Sequence, residues 1–237
     1  MRIVAMIPAR LGSTRLKMKN LALLDGRPLI SYAIRAAQES GVFDRVVVNS
    51  DHARFLEIAK RYGAEFYPRP EDLGSSTTKS DTVVKDFIAK NSCDILVWVN
   101  PISPLQESQE VRDAVTYFRD SDLDTLITVQ EHHLHSVLDG NPLNFSPNEE
   151  FAQTQHLMPV QTFVYSLMMW KSASFSAAMA SRGHAILCGK VGYYPVGKLS
   201  SIIIKTDEDL MIAEALIQLR KHDYSLRYDP IAGLEEG

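Results

Sequence analysis

Two arginines, two lysines and two hydroxyls fall within a dozen residues near the start of the chain. They lie in Pro8-Ala9-Arg10-Leu11-Gly12-Ser13-Thr14-Arg15-Leu16-Lys17-Met18-Lys19-Asn20. A loop of this kind can wrap a polyphosphate, with backbone N–H groups cradling oxygens while guanidinium and ammonium groups offset their charge. Gly12 allows the backbone to come close to a ligand. The Gly spacing and Gly-Lys-Ser/Thr ending of a P-loop are absent, and so is the Gly-x-Gly-x-x-Gly of dinucleotide-binding folds. A solvated basic surface loop is the plain alternative.

Two other clusters could do chemistry. Glu131-His132-His133-Leu134-His135 carries three imidazoles, yet lacks the helical i,i+4 ligand pair or a cysteine partner, so a polar loop or interface is the expectation. The only two cysteines, Cys93 and Cys188, each lie in an apolar run and read as buried, reduced thiols.

The elements that must position these residues follow from hydrophobic patterning. Ile3 to Pro8, Arg45 to Ser50, Cys93 to Val99 and Thr125 to Val129 are apolar and hardly alternate, as strands covered on both faces do. Between them Pro28 to Glu39, His52 to Tyr62, Asp81 to Lys90 and Ser108 to Arg119 carry helical stripes, with Pro28 expected in a first turn. Later, Thr162 to Met169 and Val191 to Val196 read as strands and Lys171 to Ser181 as a helix. Thr206 to Lys221 forms the closing helix, where Thr206 and Asp209 fit a capping box. The tail after Asp229 is expected to fray. This order predicts a doubly wound, mostly parallel α/β sheet whose ligands sit at the carboxyl ends of the strands, after Pro8, Ser50 and Val99.

One domain spanning 1–237 accounts for the whole pattern. The exception is a polar stretch from Gln130 to Gln161 with turn signals at Asp139-Gly140-Asn141-Pro142 and Phe145-Ser146-Pro147-Asn148. The Met168-Met169-Trp170 run reads as core or interface packing. With 45% hydrophobic residues and a net charge of -4, the 237-residue chain has no overall basic field for nucleic acid and no membrane-length apolar run, so a cytoplasmic protein is expected.

Ile7-Pro8-Ala9-Arg10-x-Gly12-Ser13, Lys19-Asn20 and Gly26-x-Pro28-Leu29-Ile30 together resemble the opening of the CMP-sialic acid synthetases. Leu11 and Ser13-Thr14-Arg15-Leu16 are also similar to CMP-Kdo synthetases. The resemblance continues through Asn49-Ser50-Asp51, Tyr62-Gly63-Ala64-Glu65, Arg69-Pro70, Pro101-x-Ser103-Pro104-Leu105 and Thr206-x-Glu208-Asp209-Leu210.

It implies a Rossmann-like nucleotide-diphospho-sugar transferase fold with a dimerisation arm at about 130–169, and a homodimer. It also implies transfer of CMP from CTP to an acidic nonulosonate- or octulosonate-type sugar, with release of pyrophosphate, for surface polysaccharide or lipopolysaccharide. On the matching positions, Ala9, Arg10, Gly12, Ser13, Lys19, Asn20, Arg69 and Ser80 would bind nucleotide, although Ser80 could equally be a helix cap. Asn100, Ser103, Gln106 and Gln161 would face the sugar, and Arg10, Lys19 and Lys205 would be catalytic.

Departures from the family fall at the sugar and metal ends. Gln106 stands for an Arg, Asn100 for a Gln, and Gln161 begins what would be an Asn-Gly-Ala segment; Gln cannot replace the charge of a carboxylate-binding Arg. The metal-holding Asp-Ile-Asp-Thr is here Ile203-Ile204-Lys205-Thr206. Mg²⁺ would therefore arrive with CTP rather than on protein carboxylates. A different acceptor, or nucleotide binding without turnover, are the other readings this pattern allows.

Overall fold

The structure is a computed structural model, and it describes residues 1–13, 15–221, 228–229 and 231. The hydroxyl of Thr14 and most of the tail after Asp229 lie outside the described residues.

In chain order the elements are β1 (Ile3–Ala9), β2 (Leu23–Leu24), β3 (Arg27–Pro28), α1 (Ile30–Ser40), β4 (Arg45–Ser50), α2 (Arg54–Arg61), β5 (Glu65–Pro68), α3 (Ser80–Lys90), β6 (Ile95–Val99) and α4 (Ser108–Asp120). They continue as β7 (Thr125–His132), β8 (Val137–Leu138), β9 (Asn141–Pro142), β10 (Val160–Lys171), α5 (Ser172–Arg182), β11 (Val191–Pro195) and α6 (Asp207–Arg220). A seven-stranded sheet in the order β11-β7-β10-β6-β1-β4-β5 forms the centre. All its pairings are parallel except those of β10, which runs antiparallel to both β6 and β7.

Each face of the sheet is covered by helices, which explains the unbroken apolar runs. Ile30, Ile34, Phe55, Val111 and Phe118 from α1, α2 and α4 pack on Ala5, Ile7, Val97 and Leu126. On the opposite face Val84, Phe87 and Phe175 from α3 and α5 meet Met6, Leu96, Ile127 and Trp170. Met168 and Met169 are buried in this sheet, so the Met-Met-Trp run is core.

Local chemistry corrects two expectations. Pro28 is not in the first turn of α1 but ends a miniature hairpin, because Asp25 and Gly26 both take positive φ (48° and 72°), as a two-residue turn of this handedness demands. The same Asp-Gly chemistry closes β8 on β9, with φ of 50° at Asp139 and 77° at Gly140. Ser80 is the first residue of α3 rather than its cap; Lys79 precedes the helix and no side chain caps it. The capping box on α6 is present: Thr206 accepts from the N–H of Asp209, and Asp209 accepts from that of Thr206. Beyond the expected core strand Thr125 to Val129, β7 runs on to His132, and β10 returns alongside it. The last quarter of the predicted arm is therefore central sheet, and only the excursion between β7 and β10 leaves it.

Candidate active site

From β1 the chain leaves toward β4 on one side, whereas β6 lies on the other, so the strand order reverses between β1 and β6. A crevice opens at such a reversal, beyond the carboxyl ends of the strands. Here it is a cleft of about 290 Å³ whose walls include Ala9, Arg10, Ser13, Lys19, Asn20, Arg69, Ser80 and Asn100. Eight residues chosen from four separate stretches of sequence thus meet in one cavity. Gly12 does not line it; nothing lies within 4 Å of where a Cβ would stand, leaving open space beside the loop.

The cationic groups are held from behind. Arg69 is buried, and its Nη2 donates to the Ala9 carbonyl at 2.7 Å and to Asp51 Oδ1 at 3.2 Å, tying the end of β5 to the end of β1. Burial pulls its pKa down, and Asp51 opposes that. Met18 sits at φ 48°, turning the chain so that Lys19 and Asn20 enter the cleft in a short 3-10 turn. Asn20 is buried, and the Lys19 ammonium donates to the Ile204 carbonyl at 2.9 Å. Burial brings the Lys19 pKa down to about 8, aided by the charges of Arg15, Arg10 and Lys205 and resisted by Asp209. An ammonium crowded by cations in a half-buried site is suited to receive an anion, whose charge would offset that crowding. Arg10 reaches across the mouth, its Nη1 3.4 Å from the carbonyl of Ser75.

Several lining residues escaped the sequence reading. Trp98 forms part of the wall, as do Leu73, Ser75, Ser76 and Thr78 from the loop after β5. That loop is pressed onto Asp51: a Cβ on Gly74 would stand 2.2 Å from Asp51 Oδ2 and 2.8 Å from its Cβ. The usable signal was Asp51 itself, an acid directly after a buried strand with Arg69 as its counterpart. The hydroxyl-rich run gave no cue, since Ser and Thr suit any loop.

Of the residues assigned to the sugar and metal ends, Asn100 joins the cleft wall, whereas Ser103, Gln106, Gln161 and Lys205 do not. Ser103 is buried, without a partner for its hydroxyl among the described residues. Gln106 is buried too, and its Nε2 donates to Ser166 Oγ at 3.0 Å and Glu110 Oε2 at 3.2 Å. Gln161, exposed near the start of β10, donates to Glu131 at 2.9 Å. The Lys205 side chain is exposed beside the Lys19 ammonium, while its backbone N–H donates to Asp209 Oδ2.

That carboxylate oxygen also accepts from the N–H and hydroxyl of Thr206, so the capping box occupies it. With Ile203 and Lys205 at the family's acid positions and two ammoniums alongside, the donor set does not fit a protein-held divalent cation. Among the described residues no group of three or more His, Cys, Asp or Glu is placed to hold a metal. The three imidazoles after Glu131 diverge: His132 bonds Thr162, His133 bonds the Leu157 carbonyl, and His135 stacks on Phe151 with ring centroids 3.8 Å apart.

Comparison with known proteins bears on the family and the fold. A family model described as cytidylyltransferase matches residues 4–163. An N-acylneuraminate cytidylyltransferase from Escherichia coli is 34% identical over 119 residues, 50% of this chain and 28% of that one. A CMP-N,N'-diacetyllegionaminic acid synthase from Legionella pneumophila is 38% identical over 121 residues, 48% of this chain and 52% of that one. The chain thus spans only about a quarter to a half of the length of these curated relatives. The solved structure of CMP:2-keto-3-deoxy-manno-octonic acid synthetase complexed with CTP superposes with a TM-score of 0.70 at 14% identity, covering 93% of this chain and all of that one. A 4-diphosphocytidyl-2C-methyl-D-erythritol synthase from Anaerococcus prevotii gives 0.66 at 15% identity, covering 92% and 98% of the two chains. At such identities these two structures speak for the shared fold alone.

Proposed function

The chain belongs to the cytidylyltransferase family, and on that premise we propose that it transfers CMP from CTP to an acidic sugar of the nonulosonate or octulosonate type, releasing pyrophosphate. The observation that carries this reading is the cation-lined cleft at the β1/β6 reversal. Arg10, Lys19 and Arg69 converge there with Ser13, Asn20 and Ser80, which suits a triphosphate bound to a nucleoside. In the reaction the anomeric hydroxyl of the sugar attacks the α-phosphorus, a new P–O bond forms, the α–β bridging bond breaks, and the hydroxyl proton passes to solvent. Two tasks fall to the protein: aligning the attacking and leaving oxygens, and placing fixed positive charge where negative charge builds. Arg10 and Lys19 suit the second task. Asn100, at the carboxyl end of β6, stands where the acceptor must approach.

Any Mg²⁺ would come as part of the nucleotide complex, since the side chains here offer it no carboxylate cage. Lys205 supports a weak dependence on the ion, because its charge lies beside Lys19 where phosphate oxygens gather. The same substitution favours the second reading, nucleotide binding without turnover. A homodimer joined through the excursion between β7 and β10 is also proposed. Leu134, Val137, Leu138, Leu143, Phe151 and Met158 are all exposed there, and an exposed apolar patch of that kind marks an interaction surface. No helix among the described residues is long and apolar enough to cross a membrane.

Pyrophosphate release from CTP, measured across sugar acids, phosphosugars and phosphonates, tests the reaction. Release with sugar acids alone is the expected outcome; tight CTP binding with no release on any acceptor supports the second reading instead. Lys205→Asp is expected to raise the dependence on Mg²⁺, and a variant identical to the parent in both nucleotide binding and turnover would remove Lys205 from the site.

A further inference from the structure

Surface helices turn their apolar residues to one side, and α6 does not. On its inner side Ala213, with Leu210, Leu216 and Ile217, packs on Leu24, Leu29, Leu105 and Ile204. Its other side carries Met211, Ile212 and Leu219, which stand 70%, 54% and 57% exposed, with Ala215 exposed among them. Positions 211, 215 and 219 are successive i,i+4 neighbours and 212 lies beside them, so the four make one stripe about 12 Å long at 1.5 Å per residue. None of these residues lines the nucleotide cleft, and none belongs to the excursion between β7 and β10. A helix that is apolar on both sides is characteristically covered on both.

The face is held ready for a partner. Glu214, on its border, accepts from the Asp25 N–H at 2.6 Å, and Gln218 donates to Asp25 Oδ1 at 2.8 Å, so α6 is pinned to the β2–β3 hairpin. Docking a surface already fixed in this way loses little conformational freedom.

Charge decides what the partner is. The first turn of α6 carries Asp207, Glu208 and Asp209, and its end carries Arg220 and Lys221. Among the described residues no ion pair involves Asp207 or Glu208. Arg220 and Lys221 are held by Glu107 and Asp25 yet remain half exposed, with further N–H donors to give. Such a helix is complementary to its own reverse. Laid antiparallel on a copy of itself, it sets acids beside the basic end at both ends of the contact, whereas a parallel arrangement sets like against like. An anionic membrane surface would be repelled by the same acidic turn.

We propose that this face pairs with the same face of a second copy of the chain, α6 lying antiparallel on α6 about a two-fold axis through Ala215. The small side chain at the axis lets the two backbones approach to the 8–10 Å usual for packed helices. Met211 then meets Leu219 of the partner subunit, and Glu208 lies by the partner subunit's last turn. Four apolar residues a side are far fewer than the roughly 20–30 of a stand-alone interface, so the association is weak and concentration-dependent. It is independent of the transferase reading and of the contact proposed at the excursion. With that contact, each chain would carry two isologous faces, the arrangement of a dimer of dimers.

Two measurements test it. In an antiparallel pair position 215 meets itself, whereas position 211 lies about 12 Å along the axis from its own copy, beyond the roughly 7 Å Cα separation that a disulfide spans. On mild oxidation Ala215→Cys should therefore give a covalent dimer, Met211→Cys or Leu219→Cys alone should not, and the two together should. The parent, with Cys188 buried and Cys93 partly so, is the control. Absence of the Ala215→Cys dimer, or equal cross-linking by all three single variants, would overturn the proposal. Sedimentation equilibrium from micromolar to millimolar chain gives the second readout. Met211→Lys should weaken this association at least tenfold with the urea midpoint unchanged, and Leu138→Glu, at the excursion, should leave it within twofold. Unchanged association in Met211→Lys, or its complete loss in Leu138→Glu, would overturn the α6 contact. So would a monomeric parent whose urea midpoint falls in Met211→Lys, since a segment of the same chain would then cover the stripe.

Discussion

At the nucleotide end of the cleft the polar side chains are braced from behind and open in front. Arg69 is fixed to the Ala9 carbonyl and Asp51, and Lys19 to the Ile204 carbonyl. At the acceptor end, the residues that the motifs marked are turned to protein partners: Gln106 to Ser166 and Glu110, Gln161 to Glu131. Cations gathered in one cleft must be held against their own repulsion, and backbone carbonyls and one acid do that here. A neutral glutamine needs no such bracing and is readily absorbed into an internal network. Position in a motif therefore carries over to a place in the cleft for the charged residues, and fails for Gln106, where a charged residue has become neutral.

Arg69→Ala attacks the braced end most directly. It leaves Asp51 and the Ala9 carbonyl facing each other without their shared donor, and should cost about 3 kcal/mol of stability, read from urea denaturation. A midpoint unchanged from the parent would mean that the two strand ends are held by something else. Next, Lys19→Ala or Arg10→Ala should weaken CTP binding by about 1.5–3 kcal/mol each while leaving the urea midpoint close to the parent's. Unchanged affinity in both would empty the cleft of its proposed ligand.

The third expectation follows from the Lys19 pKa of about 8. A bound triphosphate stabilises the ammonium and raises that pKa, so binding takes up a proton above pH 8. Affinity attributable to Lys19 should hold steady below pH 8 and then fall by at most about tenfold per pH unit. Lys19→Ala should abolish that slope, and a slope that survives the substitution belongs to another group. The smallest effects are expected at the absorbed glutamines. Gln106→Ala should cost about 1 kcal/mol of stability with CTP affinity unchanged, and Gln161→Ala less than about 0.5 kcal/mol. If Gln106→Ala instead raised the acceptor KM with stability intact, the contrast between the two ends would collapse.

Much of the architecture was legible because it rests on burial periodicity and local chemistry. The apolar runs of β1 and β4, the stripes of α2 and α4, and the Thr206–Asp209 cap all report their own surroundings. The arginine- and lysine-rich loop after β1 was equally plain, since so many cations after a buried strand have few other uses. What was not legible depends on contacts distant in sequence. Pro28 looked like a helix start because the two-residue Asp25-Gly26 hairpin before it was not recognised. The antiparallel run of β10 is set by which strands it joins, not by its own residues. Trp98 reads as one more apolar residue of a buried strand until the cleft is seen beside it, and Tyr165 gives no sign of its positive φ until the register with β7 shifts.

The position of β10 also imposes an order on assembly. As the chain emerges, β1, β4, β5 and β6 can pair side by side from nearby segments, but β7 has no partner among them. Its only neighbours in the sheet are β10 and β11, which follow it in sequence. Until residue 160 arrives, the free edge of β6 and the whole of β7 present unsatisfied N–H and C=O groups and bare apolar rows. A single antiparallel strand then closes the β6 edge and one edge of β7 at once, and β11 follows on the other edge of β7. Joining the two parts of the sheet is thus one late insertion rather than gradual growth, and a nascent chain halted before β10 would carry the cation-rich loop on an open, aggregation-prone half-sheet.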